Sequence, residues 1–233
     1  MSGGRGRISS SAKISSVHHN KFSGKSKFDF APALAYNPAM HKIAFSGVSG
    51  SGKSSTLAEA KKLLALKYRV AEVSDLKAGS PFDFDQKTGF VSQFYFLTGQ
   101  INEENLRALE RPDFLLCDGS FLDHWLEWLD CREAAGGDEP PPGGEPLMEA
   151  LRHFWLPSYA VFFRLRADAA ALKKRVPQAG MREYGPADPP RDEERYSLFV
   201  QREGLPSFDV WTHRSVDECA QEIMERLGEM KLL

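Results

Sequence analysis

Short apolar runs alternate with longer amphipathic stretches along the chain from about residue 41 onward. The apolar runs predict five buried strands, because a parallel strand covered on both faces is apolar throughout; they lie at residues 42–46, 69–73, 114–117, 160–165 and 208–211. The stretch after the first run repeats apolar residues at helical spacing, with Leu57, Ala60, Leu63 and Leu64 on one face. Further helices are predicted over residues 93–104, 119–131, 147–155, 166–176, 191–203 and 215–227.

Strands that alternate with helices predict an α/β fold in three layers, α/β/α, with a mostly parallel sheet of about five strands. Ligands of such sheets bind at the carboxyl ends of the strands, so residues that follow the strands are the first candidates for chemistry. Two stretches rich in Gly and Pro interrupt the pattern. We interpret residues 136–144 as a surface loop and residues 176–196 as a mobile lid.

The first 39 residues differ in composition from the rest. They are rich in Ser, Gly and Lys and contain too few apolar residues for a core, which predicts a disordered basic arm ahead of one folded domain over residues 40–233. Against a formal charge of -2 for the whole chain, Asp29 is the only acid near the six cations of the arm: Arg5, Arg7, Lys13, Lys21, Lys25 and Lys27. Such an arm either follows a nucleic-acid backbone or only keeps the protein in solution.

The overall composition is that of a soluble globular protein, with 42% hydrophobic and 27% charged residues and no apolar run long enough to cross a membrane. The cysteines Cys117, Cys131 and Cys219 lie far apart and form no C-x-x-C pair. This spacing argues against a zinc site or a disulfide framework and is compatible with a reducing cytosol. We therefore expect a cytoplasmic protein with no membrane partner.

The segment between the first predicted strand and the first predicted helix matches the phosphate-binding pattern G-x-x-x-x-G-K-[ST] at every fixed place. Backbone amides can surround an anion only where side chains do not intervene and where positive φ carries no penalty, and glycine meets both conditions. The loop is expected to hold the phosphates of ATP, with Lys53 on the β and γ phosphates and Ser54 on Mg²⁺. The predicted nucleotide-binding residues are Gly47, Val48, Ser49, Gly50, Ser51, Gly52, Lys53, Ser54 and Ser55.

Acidic residues stand where two predicted strands end. Asp118 follows the third strand, where it is expected to organise Mg²⁺ together with Ser54, although an acid at this place also serves as a helix cap. Asp75 follows the second strand and is a candidate to accept the proton of an attacking hydroxyl. Asp123 lies close after the third strand.

Several classes of nucleotide-binding protein are excluded by what the chain lacks. No Asn-Lys-x-Asp segment follows the loop to read guanine, no Leu-Ser-Gly-Gly signature of a transporter ATPase is present, and the folded length leaves little room for a motor. A small phosphotransferase fits the length. Arginines on a lid that closes over the phosphates suit phosphoryl transfer. Among the arginines around the Gly/Pro-rich segment, Arg182 and Arg195 are the favoured candidates. The alternative is that this segment is a solvated surface with ion pairs.

The span from about residue 42 to residue 227 resembles the small bacterial and phage P-loop kinases of the thymidylate-kinase and nicotinamide-riboside-kinase type. Besides the glycine loop, the matching pieces are Asp75 ahead of Pro81-Phe82-Asp83, the helix over 93–104, the segment from Cys117 to Asp123, and Gly180-Met181-Arg182 leading to Arg191-Asp192-Glu193-Glu194-Arg195.

This resemblance implies a kinase that uses ATP and Mg²⁺ in a bacterial or phage-infected cytosol and leaves a homodimer open. It implies that Asp75 handles the acceptor hydroxyl and that Arg182 and Arg195 grip the transferred phosphate. With the loop and the strand-end acid, the predicted catalytic residues are Lys53, Asp75, Asp118, Arg182 and Arg195.

One departure from the family pattern concerns the acceptor. Such kinases commonly carry Asp-Arg after the third strand, and here Gly119 stands in place of the arginine. Either a lid arginine or Lys77 compensates, or the acceptor differs from an ordinary nucleoside or nucleoside monophosphate.

Three functions remain open from the sequence. The first is a kinase acting on a nucleoside or nucleotide, with aromatic residues near the acceptor that either stack a base or pack in the core: Phe82, Phe94, Tyr95, Phe96, Trp125 and Trp128. The second, which a resemblance to phage kinases of the thymidylate-kinase type implies, is a kinase for 5-hydroxymethyluracil within DNA, with the basic arm on the polymer. The third is a non-catalytic regulatory module that binds nucleotide.

Overall fold

The computed structural model describes residues 40–79, 81, 90–134, 144–175 and 189–233. The strands are β1 (His41–Ser46), β2 (Val70–Val73), β3 (Phe114–Asp118), β4 (Val161–Arg166) and β5 (Ser207–Trp211). The helices are α1 (Lys53–Ala65), α2 (Phe90–Ala108), α3 (Phe121–Ala134), α4 (Gly144–Trp155), α5 (Ala169–Arg175), α6 (Pro189–Glu203) and α7 (Val216–Glu229). Short 3₁₀ turns cover Leu76–Gly79 and Leu156–Ser158.

These five strands form one parallel sheet in the order β2-β3-β1-β4-β5. In the central strand β1, Ile43 lies level with Leu116 of β3 and with Val161 of β4. Every residue of β3 and all but the last of β4 are buried, as apolar strands covered on both faces require. The predicted α/β fold with about five strands is confirmed, and all the strand pairings described are parallel.

Side chains that alternate along the strands divide the core into two clusters, one on each face of the sheet. Ala44 belongs to the cluster that contains Leu97 of α2 and Trp125 of α3. Ile43 and Phe45 belong to the cluster formed with α1 and α7. Helices on both faces make the predicted three layers, and the loop after β1 follows the central strand.

Most predicted elements lie within a few residues of the observed ones. The helix predicted over 166–176 begins later, at Ala169, because Arg166 still pairs with Trp211 in the sheet. Asp168 then caps the helix by accepting a hydrogen bond from the amide of Ala171 at 2.7 Å. Helices α2 and α4 both begin three residues before their predicted starts at 93 and 147.

Three predictions fall wholly or partly outside the described residues. They are the basic arm over 1–39, residues 136–143 of the surface loop, and residues 176–188 of the lid, including Arg182. Among the residues that are described, no helix is both long enough and apolar enough to cross a membrane.

Candidate nucleotide-binding site

The loop between β1 and α1 turns on three glycines with positive φ. The φ angles of Gly47, Gly50 and Gly52 are 134°, 79° and 100°, values that residues with a Cβ rarely adopt. At Gly47 a Cβ would also lie 2.5 Å from the carbonyl oxygen of Leu165 in β4. The backbone path therefore needs glycine at the places where the motif has it.

The start of α1 presents unpaired backbone donors next to this loop. Gly52 occupies the N-cap position and no side chain caps the helix, so the first amides keep their partial positive charge. The Lys53 ammonium donates to the carbonyl oxygens of Gly47 at 2.7 Å and Val48 at 3.2 Å, which holds its charge against the loop. Amides and ammonium together form a site that suits a polyphosphate.

Asp118 lies beside this loop because β3 is the neighbour of β1. It is level with Phe45 in the sheet and is buried. Burial raises the pKa of its carboxyl, as do the like charges of Asp75 and Asp123, whereas a hydrogen bond with Ser54 and the charge of Lys53 lower it. The structure thus brings Asp118, Ser54 and Lys53 together.

Magnesium is the cation that the predicted chemistry requires, and the donors present fit it. Asp118 and Ser54 supply oxygen, and the Oδ1 atom of Asp118 has no hydrogen-bond partner among the described residues. Those residues contain no group of three or more His, Cys, Asp or Glu side chains able to hold a metal. A cation here would therefore take its remaining ligands from phosphate oxygens and water.

The second predicted acid, Asp75, stands just after β2 at the same edge of the sheet. Its Oδ1 atom accepts a hydrogen bond from the amide of Lys77 at 2.9 Å. The ammonium of Lys77 is paired with Glu127 of α3. Lys77 was one candidate to replace the arginine missing at position 119, and in this structure its charge is engaged by Glu127.

Glu127 is the centre of a small charged group that joins α3 to the segment after β2. Burial opposes its charge, but Lys77 and His124 lower the pKa of its carboxyl to about 2. His124 is buried, lies 3.9 Å from Glu127 and stacks on Phe96 of α2 at 5.6 Å between ring centroids. Sequence inspection missed this group because Lys77 lies on a separate element, 50 residues from Glu127.

Three of the six aromatic residues named from the sequence are buried core residues, and Phe94 packs partly buried against the same cluster. Phe96, Trp125 and Trp128 are buried, and the two tryptophan rings pack at 4.8 Å. Tyr95 is 44% exposed, while Phe82 lies outside the described residues. Packing accounts for the three buried rings.

Of the two favoured lid arginines, the described residues include only Arg195. It lies on α6 and forms an ion pair with Asp130 of α3. A third arginine, Arg175 at the end of α5, reaches the glycine loop: its guanidinium donates to Thr212 at 3.0 and 2.7 Å and to the carbonyl oxygen of Gly50 at 3.4 Å. Sequence reasoning did not assign Arg175 to the site, and no local pattern marks its contact with Thr212, 37 residues away in sequence.

Gly119 follows Asp118 with a φ of 84°, and a Cβ there would meet none of the described residues within 4 Å. The backbone therefore tolerates a side chain only with the strain of a left-handed residue, while the space around it is open. This leaves room beside Asp118, at the place where the resemblance led us to expect an arginine.

Asp123, in the first turn of α3, contacts the start of the loop. Its carboxylate accepts hydrogen bonds from the Ser46 hydroxyl at 2.8 Å, the Ser120 hydroxyl at 2.6 Å and the Gly47 amide at 3.3 Å. The sequence analysis gave it no role; the only local signal is its position three residues after Ser120 at a helix start.

Comparison with solved structures finds this fold in deoxyadenosine kinase from M. mycoides. The structure with the products dCMP and a flexible dCDP bound has a TM-score of 0.61 and 21% sequence identity, over 81% of this chain and 99% of that one. The structure with bound dCTP has a TM-score of 0.60 and 20% identity over 81% and 99% of the two chains. The structure with bound dATP has a TM-score of 0.61 and 20% identity over 80% and 99%.

No protein-family model matches the chain, and no curated protein sequence matches it. Identities near 20% establish similarity of fold. The chain is therefore an α/β protein that shares its fold with the deoxyadenosine kinase structures.

Proposed function

We propose that this protein is a kinase that transfers the γ-phosphate of ATP to a hydroxyl group of a nucleoside-type acceptor. The observation that carries the proposal is the arrangement at one edge of the sheet, where the glycine loop and Lys53 lie beside the Asp118 and Ser54 pair. The fold shared with deoxyadenosine kinase structures supports the same class of reaction.

The donor half of the reaction is performed by the loop. Its amides and the start of α1 bind the phosphates, and Lys53 adds positive charge where negative charge develops in the transition state. Ser54 and Asp118 would hold Mg²⁺, which neutralises phosphate charge when it is bound. Arg175, fixed by Thr212, flanks the loop at Gly50.

The acceptor half requires removal of one proton. The acceptor oxygen forms a bond to the γ-phosphorus while the bond from that phosphorus to the β,γ-bridging oxygen breaks, and ADP leaves. We assign Asp75 as the base that takes the hydroxyl proton, because it stands at the same strand edge as Asp118 and close enough to raise the pKa of that carboxyl.

The charges near Asp75 favour an uncharged acceptor. Lys77 is paired with Glu127, so its charge does not offset that of Asp75. A nucleoside monophosphate would bring further negative charge into this region, whereas a nucleoside would not. We therefore expect nucleosides to be phosphorylated in preference to nucleoside monophosphates.

A second acceptor is favoured by one observation, the open space at Gly119. A hydroxyl carried on a polymer needs more room beside Asp118 than a free nucleoside does. The candidate of this kind is 5-hydroxymethyluracil within DNA, with the basic residues of the arm on the phosphate backbone.

Transfer of label from γ-labelled ATP to a panel of acceptors tests the proposal. The panel contains free nucleosides, nucleoside monophosphates and DNA with 5-hydroxymethyluracil. Label on nucleosides supports the first acceptor, and label on the modified DNA supports the second. Hydrolysis of ATP with no labelled acceptor would contradict both and favour a nucleotide-dependent regulatory module.

Lys53→Ala is the variant that ties turnover to the loop. We expect turnover to fall by about two orders of magnitude or more, because a charge that stabilises the transition state is removed. Lys62→Ala is the matched control on the same helix, where an exposed lysine pairs with Glu59. Equal turnover in wild type and Lys53→Ala would rule out the loop as the donor site.

A further inference from the structure

The first turn of α3 reaches across to the end of β1, and Asp123 makes the contact. Its Oδ2 atom accepts from the hydroxyls of Ser46 at 2.8 Å and Ser120 at 2.6 Å, and its Oδ1 atom accepts from the amide of Gly47 at 3.3 Å. The Ser46 and Ser120 hydroxyls lie 3.2 Å apart. One carboxylate therefore joins the last residue of β1, the first residue of the glycine loop and the start of α3.

The backbone conformation of Gly47 sets the direction in which the loop leaves β1. Its φ of 134° turns the chain out of β1, and its Cα lies close to the backbone of Leu165. Hydrogen bonds to a charged acceptor are shorter and stronger than neutral ones, so the carboxylate orients the Gly47 peptide more firmly than a hydroxyl would. A change in that peptide would move the amides and the Lys53 contact that follow it.

A simpler explanation for Asp123 is helix capping, since Ser120 and Asp123 have the spacing of a capping box. The same spacing at α7 gives the complete box: the Ser215 amide donates to Glu218 at 2.9 Å, and the Glu218 amide donates to the Ser215 hydroxyl at 3.2 Å. At α3 the amide of Asp123 donates to the Ser120 hydroxyl at 3.4 Å, but its carboxylate also binds Ser46 and Gly47. Capping alone does not account for those two contacts.

We propose that Asp123 is a positioning residue for ATP, which holds Ser46 and Gly47 so that the loop is in place before the phosphates bind. This inference rests on the proposed function, because it takes the loop to be the ATP site. Asp123 acts through the backbone of Gly47 rather than by touching the nucleotide. Its role is to prevent small displacements of donors, which are costly where charge stabilisation depends on geometry.

The position of Asp123 on α3 also connects the two halves of the site. The next turn of the same helix carries Glu127, which pairs with Lys77 on the acceptor side. The loop is thus fixed to the helix that lines the acceptor side. Loss of the Asp123 contacts is expected to affect ATP more than the acceptor, because Glu127 keeps its own partners.

The test is the binding of ATP with Mg²⁺ to the full chain, measured by calorimetry. We expect Asp123→Asn to raise the dissociation constant about tenfold, since it removes the charge from hydrogen bonds that link the loop to α3. The KM for ATP should rise in parallel, while the KM for the acceptor should change less than about twofold. Asp217→Asn, at another acid in the first turn of a helix, is the matched control and should leave ATP binding unchanged.

A second variant separates positioning from capping. Asp123→Glu keeps the charge and the capping pattern but moves the carboxylate by one methylene, so we expect a wild-type melting temperature with weakened ATP binding. Asp123→Glu also tests the positioning role if the Asp123→Asn variant does not fold. A double-mutant cycle with Ser46→Ala should be non-additive for ATP binding, because both changes remove the same contact.

These measurements test the positioning role of Asp123 separately from the kinase assignment. Wild-type affinity for ATP in both Asp123 variants, or additive effects in the cycle, would overturn the positioning role while leaving the kinase assignment intact. A wild-type chain that binds no ATP would overturn the assignment and the positioning role together.

Discussion

The glycine at position 47 combines a strained backbone with a crowded neighbourhood. Its φ is 134°, and a Cβ would meet the Leu165 carbonyl oxygen at 2.5 Å. We expect Gly47→Ala to lower the free energy of unfolding by about 2 kcal/mol or more, because backbone strain and steric displacement of β4 add together. Urea denaturation followed by circular dichroism measures this change.

Gly204→Ala is the matched control for that variant. Gly204 has a φ of 63°, and a Cβ there would meet nothing within 4 Å. It therefore carries only the cost of a left-handed residue, about 1 kcal/mol. Equal losses for the two variants would show that contact with Leu165 contributes nothing.

The lowered pKa of Glu127 predicts how the free energy of unfolding depends on pH. Burial opposes its charge, yet Lys77 and His124 lower the pKa of the folded protein's carboxyl from 4.5 to about 2. Because the folded value is the lower one, the stabilisation is present above pH 4.5 and is lost as the pH falls towards 2. We expect the difference in free energy of unfolding between wild type and Glu127→Gln to shrink as the pH falls through this range.

Urea denaturation of both proteins at a series of pH values checks that expectation. The comparison with Glu127→Gln isolates one group from other carboxyls with lowered pKa values, among them Asp209 beside Arg164 and Arg166. A difference that stays constant with pH would contradict the assigned role of Lys77 and His124.

At the scale of elements, one buried carboxylate ties four of them together. Glu104 of α2 accepts hydrogen bonds from Lys42 of β1 at 2.6 Å, from the indole of Trp155 at 2.7 Å and from the hydroxyl of Tyr159. The hydroxyl of Tyr159 accepts from the amide of Phe121 at 3.1 Å, which extends the network to α3. The network fixes α2 and α3, the two helices on the acceptor side, against β1.

The side chains of Lys42 and Glu104 are 5% and 1% exposed, so removing one partner of this pair should strongly lower the stability of the fold. Lys42→Met would leave the Glu104 carboxylate buried without a counter-charge, and we expect a loss of about 3–5 kcal/mol in the free energy of unfolding. The double variant Lys42→Met with Glu104→Gln should recover most of it, because no charge is then buried. Chemical denaturation of all four proteins of the cycle measures the coupling.

Lys62→Met provides the control, since Lys62 is an exposed lysine that pairs with Glu59 within α1. Surface pairs contribute little, so its stability should stay close to that of wild type. A Lys42→Met variant as stable as Lys62→Met would mean that the buried pair is not needed to hold α2.

At the scale of the whole molecule, the parallel sheet brings the residues of the site together. All strands point the same way, so the residues after β1, β2 and β3 come to one edge. The order β2-β3-β1 places Asp118 level with Phe45 and next to the glycine loop. Two hydrophobic clusters, one on each face, then hold the helices that carry Lys53, Asp123 and Glu127.

The sequence alone predicted the elements and the glycine loop. Both depend on short-range rules: apolar periodicity reports which face is buried, and positive φ at neighbouring positions restricts the choice of residue to glycine. The strands and helices therefore lie close to their predicted bounds, and Gly47, Gly50 and Gly52 have the expected backbone.

The tertiary structure decided which distant residues meet. Asp123 contacts Gly47 across 76 residues, Lys77 pairs with Glu127 across 50, and Arg175 reaches the loop across 125. From the sequence, Asp123 has no assigned role, and the arginines around the lid fit a solvated surface as well as a binding site. Their partners follow from strand order and helix packing, which bring together side chains whose spacing in the sequence carries no sign of the contact.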